Sequence, residues 1–208
     1  MHRNYALIAA EFAAIVFGVL LGLALNGWYG ASKEAERRDR AETMILAELS
    51  ANYAVLEEAR AYHIRLLPDL VEARNASFRG ETGPQVDYRG LGAARLSDVA
   101  YQSALATGVF TGMAPDRVAQ LSSPYTGMED LEGTYDRYAM ALTELGSTSR
   151  GFFDLMTYAF SDSLYGEDEV LSSIAEVLDR EPPPNWFHEI DVDIYSVELP
   201  AAEDEDPA

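Results

Sequence analysis

The residue types best placed to do chemistry in this chain fall within its first 30 residues. Glu11 is the one ionisable residue in an otherwise apolar run from Ala6 to Leu25 (ALIAAEFAAIVFGVLLGLAL). An acid inside such a run is by default a candidate for handling ions or protons. It lies only about two turns from the start of the run and has no relay partner there. The milder expectation is a carboxylate that reaches back toward the headgroups and is favoured by the positive end of the helix dipole. Ala14, Gly18, Gly22 and Asn26 recur at every fourth position on the same side. At 100° per residue Glu11 falls within about 20° of both glycines. Gly18-x-x-x-Gly22 lets a second backbone approach closely, and Asn26 can hydrogen-bond across the pair, so this face is expected to associate with another copy or another membrane helix. The plainer reading is the ordinary tolerance of membrane helices for glycine.

Other chemistries find little support. The histidines His2, His63 and His188 are scattered. His63 lies on an apolar helical stripe, where a packed, hydrogen-bonded imidazole is expected rather than a metal ligand. Gly90-Leu-Gly92 lacks the third glycine and preceding strand of a dinucleotide loop, Asp191-x-Asp193 lacks the rest of a calcium loop, and no H-E-x-x-H or G-x-S-x-G occurs. Cysteine is absent, which removes disulfides, thiolate metal sites and a cysteine nucleophile. The expectation is therefore no catalytic residue, no metal and no cofactor. The formal charge of -20 argues against nucleic-acid binding. Nearly half of the acid follows Gly151, ending in the acidic segment Ala202–Ala208.

These residues need elements to hold them. A helix of about 20 residues spans roughly 30 Å, the thickness of the hydrocarbon core, so the run to Leu25 predicts a transmembrane helix. Tyr5 at one end and Trp28 and Tyr29 at the other are expected to be its interfacial anchors, with the lipid bilayer as first partner. A cleaved signal peptide and a buried core helix are the alternatives; the run is long for the first, and no A-x-A-like exit follows it.

Helical patterning continues from Ser32 to Leu67, with Ile45, Leu49, Tyr53, Leu56, Ala59, His63 and Leu67 on one stripe. Pro68 is expected to kink or end this helix. Phe78–Gly92 reads as a loop. A short helix capped by Ser97 or Asp98 carries Tyr101, Ala104, Leu105 and Val109 inward. Ala114-Pro115-Asp116 opens a further helix. A second long helix is expected from about Tyr125 to Phe160, weakened near Gly146–Ser149, and a short amphipathic one from Asp168 to Asp179. Pro182–Pro184 imposes an extended path, and Ile190–Ile194 alternates as a strand or strap. Tyr53, Tyr62, Tyr101, Tyr125, Tyr135, Tyr138 and Tyr158 mostly keep helical spacing and read as core residues with their hydroxyls at the edge. The pattern predicts an all-α protein: a transmembrane anchor (1–30) continuing into an antiparallel helical bundle (31–180), then a short extended acidic C-terminal segment (181–208).

Two stretches together resemble a family of uncharacterised bacterial single-span membrane proteins. One is Glu11 to Trp28, an acidic residue followed by a Val/Ile/Gly-rich span ending in Asn and Trp, with the acidic-hydrophobic Leu46-Ala-Glu48-Leu49-Ser-Ala-Asn52 after it. The other is Ser97 to Gly108, with Tyr125 downstream. Here Gly27 stands directly before the tryptophan and the N-terminus is poor in basic residues. The resemblance implies an anchor and a helical domain and brings no activity with it. It also implies a cytoplasmic N-terminus and an exported domain, that is, the inner membrane with the domain in the periplasm. The local charge count points the other way, because Lys33, Arg37, Arg38 and Arg40 outnumber the α-amine and Arg3. The functional expectation is a non-enzymatic domain acting through protein contacts. The alternative is a sensory or small-ligand-binding bundle gated by the loop Phe78–Gly92 or by a tyrosine-rich interior.

Overall fold

The computed structural model describes the backbone of residues 2–145, 151–190 and 194, and side chains from Ile15 onward. The described residues are all-α, with no strand among them. Helix α1 runs from His2 to Arg79, α2 from Val99 to Ala106, α3 from Pro115 to Leu145 and α4 from Gly151 to Val177. A 3-10 turn, Trp186–His188, follows.

The 78 residues of α1 would extend about 117 Å at helical rise. Pro68 does not end it, contrary to expectation. The proline costs one intrahelical bond, but Leu66, Leu67, Leu70 and Val71 on either side are all buried against the rest of the domain, and this packing holds the helix through the defect. The end comes at Gly80, whose φ of 73° is a left-handed conformation open to glycine at low cost. Glu81 N–H donates to the Ala76 carbonyl at 2.8 Å and Gly80 N–H to that of Ser77 at 3.2 Å, a Schellman closure. Phe78 and Arg79 are thus helical, and the loop begins after them.

The second half of the chain is divided differently from the pattern reading. Pro115 sits at the first helical position of α3, where its missing amide costs nothing, and the helix continues through Pro124 without a break. Tyr125–Phe160 is not one helix: α3 stops at Leu145, and Phe152 and Met156 belong to α4, which returns in the opposite direction. The weakness foreseen at Gly146–Ser149 falls among residues outside the described set. Asp168–Asp179 is not separate; up to Val177 it forms the last part of α4.

Pairings fix the directions. Along α1, Ser50, Arg60 and His63 meet Arg180, Asp168 and Glu167 in turn, so α4 runs antiparallel to it. Ser123, Gly127, Leu131 and Tyr138 of α3 meet Ser173, Val170, Gly166 and Asp162 of α4, again antiparallel. Two apolar clusters result. Ile45, Leu49, Leu56, Leu121, Met128 and Ile174 belong to the one nearer the N-terminal run; Leu67, Leu70, Phe152, Met156, Phe160 and Trp186 belong to the other. Every residue of the predicted α1 stripe is buried. The C-terminal segment is not simply extended. Trp186 is 1% exposed inside the second cluster. Ile190 is in no strand, 191–193 lie outside the described residues, and Ile194 is buried with its carbonyl accepting from Arg74.

The connector 80–98 lies close against α1. At Gly92 (φ 66°) an added Cβ would meet the rigid Tyr62 ring at 2.4 Å. Gly92→Ala should therefore lower stability by about 1–3 kcal/mol. Gly133→Ala, in a helical position with open space around it, should raise stability by about 0.4–1 kcal/mol. Denaturation midpoints of the detergent-solubilised chain, followed by circular dichroism, check both signs.

Candidate functional site

Among the described residues one helix, α1, is long and apolar enough to cross a membrane, and none of its most apolar window is buried within the molecule. Ile15, Phe17, Val19, Leu20 and Leu23 all face outward. Gly18 and Gly22 lie in this stretch with nothing within 4 Å of the position of a Cβ, so no part of the domain folds back over them. Asn26 is exposed as well. Trp28 and Tyr29 are exposed at the end of the run, and the Lys33 ammonium lies 4.6 Å from the Tyr29 ring centre, one turn on. Tyr5, Glu11 and Ala14 belong to α1, but their side chains lie outside the described residues.

Inside the domain a polar layer separates the two apolar clusters. His63 and Glu167 are completely buried, with Nδ1 2.8 Å from Oε1. Nε2 faces the Leu91 carbonyl. The Nδ1 contact is at ion-pair distance without hydrogen-bond alignment, and Glu167 Oε2 has no donor. Tyr135 donates its hydroxyl to Glu167 Oε1 at 2.6 Å. Burial, and then the charge of Glu167, push the Tyr135 hydroxyl far above the usual tyrosine range. One turn before His63, Arg60 donates to Asp168 Oδ1 at 2.6 Å and also to Glu189 and the Pro184 carbonyl. Burial opposes the Arg60 charge, yet Glu189 and Asp168 more than offset this and its pKa is raised. The other oxygen of Asp168 accepts from Trp186 N–H at 2.9 Å. The same layer therefore clamps α1, α4 and the C-terminal segment.

A second polar clasp holds α2. Asp98 occupies the N-cap position but makes no capping bond with its side chain. The acceptor comes from α1 instead. Glu48 accepts from Ser97 Oγ (2.8 Å), Ala100 N–H (2.9 Å), Tyr101 N–H (3.4 Å) and the Tyr125 hydroxyl (2.8 Å). Asn52 pairs with the Ser97 backbone in both directions, at 2.7 and 2.9 Å. The stretches Leu46–Asn52 and Ser97–Gly108, which carry the family resemblance together with Glu11–Trp28, thus meet in space around Tyr125.

The tyrosines serve the core, though not only at its edge. Tyr53, Tyr125 and Tyr135 are buried, Tyr101 stacks on Tyr125 with ring centres 4.2 Å apart, and Tyr158 is exposed. Burial and the neighbouring Asp162 push Tyr138 up to about 12. Tyr53, Tyr135 and Tyr138 do not enclose a common cavity; Tyr135 lines an open groove beside Arg89, Gly90 and Asp136. No cluster of three or more metal-ligating side chains occurs among the described residues. Pattern reading missed Glu48 and Glu167 as internal acceptors. Glu167 had a signal: Phe160, Leu164, Glu167, Leu171 and Ile174 follow helical steps, which puts a carboxylate on an apolar stripe just as His63 is.

Comparison of the chain with family models, curated proteins and solved structures finds no match.

If the polar layer is a coupled unit, His63→Leu and Glu167→Leu should each cost about 3–5 kcal/mol, because each strands a buried partner. The double variant should cost less than the sum by about 1–3 kcal/mol. A double-mutant cycle of unfolding free energies measures this; additivity within about 0.5 kcal/mol would show that the two residues act independently.

Proposed function

We propose that the chain is a single-span membrane protein of non-enzymatic type that works through protein contacts, carrying an acidic helical domain rigidly on its anchor. The observation that supports this reading is the continuity of α1. One helix includes both the apolar run and the stripe that forms the domain core. A partner that binds the run therefore sets the position and rotation of the domain.

The stretch between run and core is mostly exposed, touching the rest of the fold where Arg38 donates to the Gly112 carbonyl, and local pairs support it there. Lys33 sits over Tyr29, Arg37 lies 3.5 Å from Glu34, and Arg40 lies 3.2 Å from Glu36. Pairs at these spacings are each worth about 0.2–0.5 kcal/mol in a helix. Gly27 and Gly30 weaken the same stretch by about 0.5–1 kcal/mol each relative to alanine, so the pairs roughly offset them. The closely packed core favours a contact protein over a domain with a tyrosine-lined chamber.

The partner is a second copy or another membrane helix meeting the Ala14, Gly18, Gly22, Asn26 face. The membrane is the bacterial inner membrane, with the domain in the periplasm; this follows the resemblance of the N-terminal segment rather than the local charge count. Because the chain has no cysteine, single introduced cysteines report contacts without background. Ala14→Cys and Asn26→Cys should give disulfide-linked dimers in oxidised membranes, and Val16→Cys and Leu23→Cys, on the other side of the wheel, should give few. Gly18→Ile with Gly22→Ile should abolish the dimers by holding the backbones apart. Equal yields from both faces, or dimers that survive the isoleucines, would contradict self-association through this face.

A further inference from the structure

The chain carries more than twice as many acidic as basic residues, yet one groove on the domain is cationic. It lies between α1 and the connector 80–98 and has a volume of about 560 Å³. Ala59, Tyr62 and Gly92 are among the residues that line it, together with three arginines, Arg65, Arg89 and Arg95. Glu58 is the one carboxylate among the lining residues.

The state of these arginines is informative. Most arginines elsewhere in the domain have been given partners: Arg60 has Asp168 and Glu189, Arg117 has Glu42, Arg40 has Glu36, and Arg38 has the Gly112 carbonyl. The Arg65 guanidinium carbon lies over the Tyr62 ring, 5.6 Å from its centre. Arg65 and Arg95 are both exposed, and among the described residues no carboxylate comes within ion-pair distance of either. Arg89 pairs with Asp87 at 3.0 Å, but both side chains are more than three-quarters exposed, and such a pair is weak and readily exchanged. Two guanidinium groups with no carboxylate of their own and a third held only by an exposed pair, one of them over an aromatic ring, offer a receptor for carboxylates.

We propose that this groove binds a small organic dicarboxylate, with its carbon skeleton on the Tyr62 side and its two carboxylates on Arg65 and Arg95. The apolar lining selects an organic anion over a bare inorganic one. The volume lies within the range of small-molecule sites. Lipid headgroups of the anchoring membrane are not the source. Arg65 is 40 residues beyond Leu25 on one helix, about 60 Å from the end of the apolar run, whereas headgroups add only about 5–8 Å to each side of the hydrocarbon core. The site also touches the polar layer. The Tyr62 hydroxyl holds Gly90 O and Arg89 N–H, and the Leu91 carbonyl faces His63. A ligand bridging Arg65 and Arg95 ties the connector to α1 and should raise the unfolding midpoint.

The test is titration calorimetry of the full-length chain in uncharged detergent, with isophthalate as probe at constant ionic strength and inorganic phosphate as comparison. The expected result is saturable one-site binding of isophthalate, at least about tenfold weaker in Arg95→Glu and unchanged in Arg137→Glu, an exposed arginine outside the groove. Circular dichroism of the two variants confirms that the fold is kept. No saturable binding up to about 10 mM, or equal binding by Arg95→Glu, would overturn the site. Equal affinity for inorganic phosphate would overturn the assignment of an organic ligand.

Discussion

A single helix is the constraint on which the rest of this molecule depends. The apolar run to Leu25 is long and apolar enough to cross a membrane, and in a bilayer it would have to be helical to satisfy its own backbone hydrogen bonds. Nothing in the sequence stops that helix before Gly80: Gly27 and Gly30 weaken it without supplying a left-handed turn, and Pro68 falls where packing on both sides outweighs one lost bond. The domain therefore builds itself around the far half of a rod whose near half is the apolar run. Helix α4 packs onto this rod and α3 onto α4, reaching α1 through side chains such as Arg117 and Tyr125, and α2 and the connector are tied to it by its own side chains, Glu48, Asn52, Tyr62 and His63.

The buried polar layer gives this assembly its register. Apolar helices can slide by a turn at modest cost, because one leucine replaces another. A slide that separates His63 from Glu167 or Arg60 from Asp168 leaves a charge in the core without a partner, which is far more expensive. The cost of burying these groups is borne in the native arrangement by several acceptors and donors at once: Tyr135 on Glu167, Trp186 N–H on Asp168, and Glu189 and the Pro184 carbonyl on Arg60. The segment after α4 is thereby brought into the core, and Trp186 fills the second cluster beneath it.

Much of this was legible in the sequence. The α1 stripe from Ile45 to Leu67, the buried character of His63, the loop before Gly92 and the start at Pro115 all follow from spacing and turn chemistry. Where the pattern misled, the reasons are specific. At Pro68 a local rule was overridden by tertiary packing. Between Tyr125 and Phe160 similar apolar spacing continues through a reversal of direction, because α3 and α4 present equivalent stripes to the same core. The cap of α2 is expected beside it, at Ser97 or Asp98, and is supplied from 52 positions away, by Glu48 on the Ala100 amide. The cationic groove left no local trace, since Arg65, Arg89 and Arg95 become neighbours only when the connector folds back on α1.

An apolar run and a domain core that share one helix have a fixed geometry. Nitroxide labels at Leu25→Cys and Glu58→Cys, exposed positions on either side of the stretch between run and core, test this directly by double electron–electron resonance in lipid nanodiscs. An unbroken helix places their backbones about 50 Å apart, with a narrow distribution. A broad distribution centred well below that distance would mean that the helix breaks between run and core, and that the two are joined only by a tether.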